Sequence, residues 1–229
     1  MRIAVMGTGY VGLVSGVCFS QLGFHVTCID RIPEKIAMLK KGVAPFYEPG
    51  LAEMMTVNRK AGRLSFVTSL DEAEEADVIF IAVGTPPGPD GLPDMSALMA
   101  VGDAIEASKH KRALVVVKST VPPGTTRALG ERLSTHETAS NPEFLREGTA
   151  IADFMQPDRI VCGVMSERAR AIMEKLYAPL NAQVFFTGPE SSEMIKYASN
   201  DLLATRIAYI NEMADICEAI GADIADVAE

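Results

Sequence analysis

The chain has 229 residues, and nearly half are apolar, enough for a sizeable core in one large domain or one and a half ordinary ones. A net charge of −9, spread without runs of like charge, argues against non-specific nucleic-acid binding and fits a soluble acidic surface. No low-complexity tail and no apolar run of membrane-spanning length is present, and the opening "MRIAVMGTGY" has neither the apolar length nor the cleavage site of a signal peptide. The four cysteines, Cys18, Cys28, Cys162 and Cys217, show no metal-ligand spacing. Each lies in an apolar periodic segment and reads as a buried free thiol, which suits a cytoplasmic protein.

"RIAVMG" reads as a short apolar strand ending in glycine, followed by a helix from Val11 to Leu22 that Gly23 ends. "HVTCID" is a second strand. "PEKIAMLKKG" has Pro33 at a helix start and Gly42 after its end. "EPGLAEMMTVNRKAG" is a further short helix and "RLSFVTS" an alternating strand. "ADVIFIAVGTPP" and "RALVVVKSTVPPG" are continuous apolar runs, as in strands buried on both faces of a parallel sheet. Helices are expected at about 96–108 and 125–133, and strands at 138–140, "RIVCGV" and "QVFFTG". This alternation predicts an α/β fold, a doubly wound Rossmann-type parallel sheet over residues 1–188. From Ser191 the pattern is helical without glycine or proline until Gly221, which is roughly 45 Å of helix at about 1.5 Å per residue. Such length suits a connector between domains or a dimer-forming helix within 189–229. The fresh apolar pattern "ADIADVAE" that follows reads as the start of a further helical region in a longer protein.

"GTGYVG" places Gly7, Gly9 and Gly12 after a strand and at the opening of a helix. Gly7 permits the tight turn, Gly9 lets backbone approach a pyrophosphate, and Gly12 lets the helix pack on the sheet. The helix N-terminus offers N–H groups and a positive dipole end to phosphate. Asp30 ends the next strand, where an acid can accept from both ribose hydroxyls and repel a 2′-phosphate, so NAD is favoured. Arg31 beside it is the feature that would accommodate NADP instead. The loops "VGTPPG" and "KSTVPPGTT" follow the two most apolar strands, so Thr85 and Thr120 are placed to face a crevice at the strand ends. Their prolines are ordinary turn chemistry, and the threonines read equally well either way.

"SNPEFLREG" reads locally as a helix start, with Asn141 as cap, Pro142 at the first position and Glu143 in the first turn. Glu143 and Glu147 would then share one helix face. The helix dipole accounts for Glu143 without function. A pair of acids at a cleft can also hold a proton or orient a water.

Taken in order, "GTGYVG", "VGTPP", "KSTVPPGTT", "NPEFLREG", "FMQPDRIV" and "EMIKYASNDLLATRIAYINEMADICEAIGAD" resemble the UDP-glucose/GDP-mannose dehydrogenase family over essentially the whole chain. "PDRIV" and "KLYAPL" are most similar to the UDP-glucose 6-dehydrogenase branch, with GDP-mannose dehydrogenase as the alternative. The resemblance implies oxidation of a sugar-nucleotide 6-hydroxyl to the acid with two NAD, through a cysteine thiohemiacetal and thioester. It implies NAD contacts at Tyr10, Val11, Asp30, Lys35, Thr85, Thr120 and Glu147 besides the glycines. It assigns Glu143, Phe144, Leu145, Arg146, Glu147 and Lys196 to the UDP-sugar site, and oxyanion stabilisation to Lys196 and Asn200. Thr120 with Glu143 or Glu147 would activate the hydrolytic water, and no metal is implied. The family's nucleophile lies in a "GGSC"-type loop in the next domain, and none of the four cysteines here has that context. The expectation is therefore an NAD-binding portion, a homodimer through the long helix, inactive by itself. The alternatives are a non-catalytic NAD-binding regulatory module, or a helix-mediated scaffold, which leaves "GTGYVG" and Asp30 unexplained.

Overall fold

The computed structural model describes every residue from Met1 to Glu229. Eight strands alternate with helices: β1 (Arg2–Met6), α1 (Tyr10–Gln21), β2 (His25–Ile29), α2 (Pro33–Lys40), α3 (Leu51–Lys60), β3 (Leu64–Val67), β4 (Val78–Ile81), α4 (Ser96–Ala107), β5 (Leu114–Val117) and α5 (Thr125–Arg132). They continue with β6 (Glu137–Ser140), α6 (Ala150–Met155), β7 (Ile160–Gly163), α7 (Glu167–Tyr177), β8 (Val184–Thr187), α8 (Pro189–Ile220) and α9 (Ile224–Ala228). The sheet order is β3-β2-β1-β4-β5-β6-β7-β8. The chain therefore reverses direction of winding between β1 and β4, and a crevice opens there at the carboxyl ends of the strands.

The strands are apolar throughout because both sheet faces are covered. Ile3 and Val5 point into one buried cluster while Ala4 and Met6 point into the other, and Phe80 and Ile81 divide in the same way. The larger cluster packs α1, α2, α3, α6 and α7 on the sheet, with Phe19 stacked on Phe80 at 5.1 Å. The smaller packs α4 and α5. α1 is buried all round from Gly12 to Ser20, and a Cβ on Gly16 would stand 2.4 Å from the Cys28 sulfur. All four cysteines are free and buried.

The doubly wound, mostly parallel sheet is as expected; one expectation needs refining and one correcting. The sheet is not wholly parallel: β7 meets β6 antiparallel through one residue pair, Ser140 with Gly163, and β8 then runs parallel to β7. The connection from β6 to β7 stays near the carboxyl edge, held by the Asn141 Nδ2 group donating to the Val161 carbonyl at 2.8 Å. Secondly, "SNPEFLREG" is not a helix start. Residues 141–149 form an irregular loop and turn, and the helix begins at Ala150. Asn141 cannot cap, because its Oδ1 accepts from Lys118 at 3.1 Å and from Tyr177 at 2.5 Å. Gly148, at φ +87°, turns the chain before α6.

The helix α8 starts on Pro189 and ends at Gly221, whose φ of +77° is a left-handed cap. At about 1.5 Å per residue its span is roughly 48 Å. Its first turns lie on the sheet and α5; beyond Asn200 it is almost wholly exposed until Cys217. No helix is long and apolar enough to cross a membrane.

Candidate functional site

The glycine loop sits at the carboxyl end of β1. Gly7 has φ +100°, and a Cβ there would stand 2.6 Å from the Ala82 carbonyl oxygen. A Cβ on Gly12 would stand 2.0 Å from the Gly7 oxygen. Both glycines are demanded by the turn and by close helix packing. Gly9 differs: its φ is −66°, and a Cβ there meets nothing within 4 Å. The N–H groups of Tyr10, Val11 and Gly12, in the first turn of α1, have no acceptor in the protein, and no side chain caps the helix.

Asp30 braces this loop from β2. Its Oδ2 accepts from the Thr8 N–H at 3.1 Å, the Thr8 hydroxyl at 2.7 Å and Lys35 Nζ at 2.8 Å, and Oδ1 accepts from the Ile32 N–H. Burial works against ionisation, but the Lys35 and Thr8 hydrogen bonds outweigh it and hold the carboxyl below the usual range. Arg31 is exposed and forms no ion pair. Thr85 and Thr120 stand at the carboxyl ends of β4 and β5, joined by the Thr85 hydroxyl donating to the Thr120 carbonyl at 2.8 Å.

The acidic segment follows β6 on the same edge. Glu143 Oε1 pairs with Lys196 Nζ at 3.0 Å, and its Oε2 accepts the Leu145 N–H at 2.6 Å. Phe144 lies under two cations, Lys196 at 5.4 Å and Arg159 at 5.1 Å from its ring centre. A cleft of about 410 Å³ opens here, lined by residues 141–146, 153–154 and 156–160 with Lys118, Tyr177 and Leu180. The structure thus brings Glu143, Phe144, Leu145 and Lys196 together. It leaves Glu147 and Asn200 exposed without protein partners. Arg146 lines the cleft but is paired with Asp153 at 2.6 Å, and its side chain is 78 % exposed.

At the floor of the cleft stand Lys118 and Tyr177, to which the sequence assigns no role, and Asn141, which it offers only as a helix cap. The one signal for Lys118 was a cation closing the otherwise apolar run "ALVVVK". Lys118 is 4 % exposed, and burial pushes its ammonium down to about 8, against the opposing pull of Glu143. Glu193 was also missed. It is buried on α8, and its two oxygens accept the N–H groups of Gly124 and Thr126 at 2.6 and 2.7 Å, capping α5. One turn on, Lys196 reaches Glu143, and another turn on, Ser199 accepts from Arg159. These contacts clamp the start of α8 across the strand ends.

Sheet order, glycine loop and acid at the end of β2 together define a Rossmann-type dinucleotide-binding domain. Residues 1–181 match the NAD binding domain of the UDP-glucose/GDP-mannose dehydrogenase family, and residues 190–229 match that family's central domain. The chain belongs to this family. It is 47 % identical to UDP-glucose 6-dehydrogenase YwqF of Bacillus subtilis over 236 residues, which is all of this chain and 54 % of that protein. It is 48 % identical to the UDP-glucose 6-dehydrogenase of Rhizobium meliloti, covering 55 % of it. Among solved structures, a UDP-glucose dehydrogenase from Pyrobaculum islandicum superposes with a TM-score of 0.92 at 44 % identity, over 99 % of this chain and 55 % of that one. A GDP-mannose dehydrogenase from Pseudomonas aeruginosa, solved as a ternary complex, gives 0.94 at 35 % identity over the same shares. The chain therefore spans about half the length of these relatives.

Proposed function

We propose that the chain is the cofactor-binding, substrate-facing half of a UDP-glucose 6-dehydrogenase, which oxidises UDP-glucose to UDP-glucuronate in two NAD-dependent steps. The observation that carries the reading is Gly9. Its backbone suits any residue and its Cβ position is open, so the fold itself has no need of glycine there. A phosphate group on the free N–H groups of α1 does need that space.

NAD, when bound, supplies the hydride acceptor; the rest falls to the chain's own residues. Gly7, Gly9, Tyr10, Val11 and Gly12 cradle the phosphates. Asp30, with Lys35 beside it, accepts from the ribose and repels a 2′-phosphate, which selects NAD over NADP. Thr85, Thr120 and Glu147 contact the cofactor at the carboxyl edge. The segment Glu143–Glu147 and Lys196 hold the UDP-sugar. Lys196, exchanging Glu143 for the substrate, and Asn200, one turn along α8, stabilise the oxygen that gains charge at C6. Thr120 with Glu143 or Glu147 orients and deprotonates the water that releases the acid.

The second oxidation needs a thiol to hold the aldehyde carbon. All four cysteines are buried, and burial pushes Cys18, Cys28 and Cys162 up to about 12, far from thiolates. We therefore assign the nucleophile to residues outside these 229 and expect this chain alone to bind NAD without making UDP-glucuronate. We take residues 1–188 as the NAD-binding unit and 189–229 as the connecting and dimerisation helix with the start of the central region. The free thiols suit the cytoplasm.

The test is the NADH yield after completing the chain with the C-terminal part of the Bacillus subtilis relative. Two NADH per UDP-glucose, with UDP-glucuronate as product, is the expected result. Preference for GDP-mannose would move the reading to the other branch of the family.

A further inference from the structure

Glu48 lies in the loop between α2 and α3, at the head of a stretch that the sequence offers only as a helix, yet it is only 5 % exposed. Its Oε2 accepts from the Tyr10 hydroxyl at 2.6 Å and from the Gly148 N–H at 2.9 Å. The N–H groups of Ala150 and Ile151, opening α6, face the same carboxylate. The Tyr10 hydroxyl also stands 3.2 Å from the Arg146 carbonyl oxygen, and its ring packs on Phe46 at 5.1 Å. One buried carboxylate thus joins two places far apart in sequence. The first is the opening residue of α1, whose N–H group has no protein partner. The second is the turn that carries Glu147. The Glu147 side chain has no partner of its own, so the contacts at Arg146 and Gly148 on either side fix where it stands.

We infer that Glu48 and Tyr10 form a latch that positions Glu147 against the glycine loop, so that occupancy at the start of α1 tightens the turn over residues 146–151. The latch rests on the functional reading above. Neither residue is required to touch a reacting atom; both act through Glu147 and are positioning residues. A carboxylate that only capped α6 would affect stability but would not transmit ligand binding.

The test is hydrogen exchange across residues 146–151 in the unmutated chain, Tyr10→Phe and Glu48→Gln, with and without saturating NAD, alongside calorimetry. Tyr10→Phe removes one hydroxyl from a half-buried ring and leaves the fold its packing. Glu48→Gln replaces the charged acceptor of Tyr10 and Gly148 by a weaker neutral one and turns an NH₂ group towards Ala150 and Ile151. NAD should slow exchange over 146–151 by about 10-fold or more in the unmutated chain and by less than about 3-fold in either variant, while exchange in α4 stays the same. The Kd for NAD should rise about 3- to 10-fold in both, the scale of one ordinary hydrogen bond. Full NAD protection in both variants overturns the inference, as does calorimetric binding that leaves 146–151 unprotected in the unmutated chain. No NAD binding at all overturns the functional reading and the transmission with it. The ligand-free comparison then still decides the latch: about 10-fold faster exchange in Tyr10→Phe supports it, and equal exchange refutes it.

Discussion

Asp30 commits its carboxylate to the protein before any ligand arrives, bonding Thr8 in the glycine loop and Lys35 on α2. Removing it both deletes a ribose acceptor and loosens the loop. Asp30→Ala should therefore weaken NAD binding by about 10-fold or more and narrow the preference over NADP. Calorimetry showing equal or better NADP binding to the unmutated chain would contradict this. Lys118 makes a pH prediction. Its folded-state value of about 8 lies below its ordinary value of 10.5, so between the two the unfolded chain binds more protons than the folded one. Stability from this group therefore rises with pH across that window, and the burial cost is felt in full below it. Against Lys118→Met, the unmutated chain should gain on the order of 1–3 kcal/mol between pH 7.5 and 10 in urea unfolding. A constant difference would contradict it. Residue roles were legible only where chemistry repeats a pattern. Gly7, Gly9, Gly12 and Asp30 stand at fixed offsets from a strand. Glu48, Asn141 and Glu193 are defined by partners distant in sequence, which no local spacing reports.

Elements were more legible. Continuous apolar runs gave β4 and β5, proline and glycine bracketed α2, and glycine ended α8, because these depend on local periodicity and caps. The segment 141–149 failed as a helix because Asn141 is taken up by Lys118, Tyr177 and the Val161 carbonyl, a tertiary demand that overrides its capping propensity. The antiparallel meeting of β6 and β7 likewise left no mark in the pattern. Within α8, energetics divide along the helix. Glu193→Ala would strip two N–H groups of α5 of a buried acceptor, which should cost about 2–3 kcal/mol in urea unfolding. A loss below about 0.5 kcal/mol would show that the cap carries little. Further along, Leu202, Tyr209 and Ile216 recur at seven-residue spacing and stay exposed, with Ile220 beyond them. An apolar stripe of that kind favours self-association. We predict a dimer by light scattering that Ile216→Glu converts to monomer with thermal stability of the monomer unchanged; a monomeric unmutated chain at high concentration would contradict it.

At the scale of the whole molecule, the sheet gathers its chemistry on one edge. Thr8, Asp30, Thr85, Thr120, Glu143 and Lys196 come from six separate segments, and the start of α8 clamps across them. In an enzyme completed with a relative's C-terminal part, Lys196→Ala should lower turnover by about 100-fold, the scale for losing one preorganised charge-stabilising group. Turnover near the unmutated rate would remove Lys196 from the chemistry.

On the proposed function, the open space at Gly9 exists for a dinucleotide. Gly9→Val probes this, since the backbone there suits valine and nothing beyond the adjoining residues lies within 4 Å of the new Cβ. A calorimetric titration with NAD, paired with urea unfolding, is the measurement. One NAD should bind per unmutated chain, and the Gly9→Val chain should unfold within about 1 kcal/mol of it but not bind. A Gly9→Val chain that folds and binds NAD as tightly as the unmutated one would contradict it.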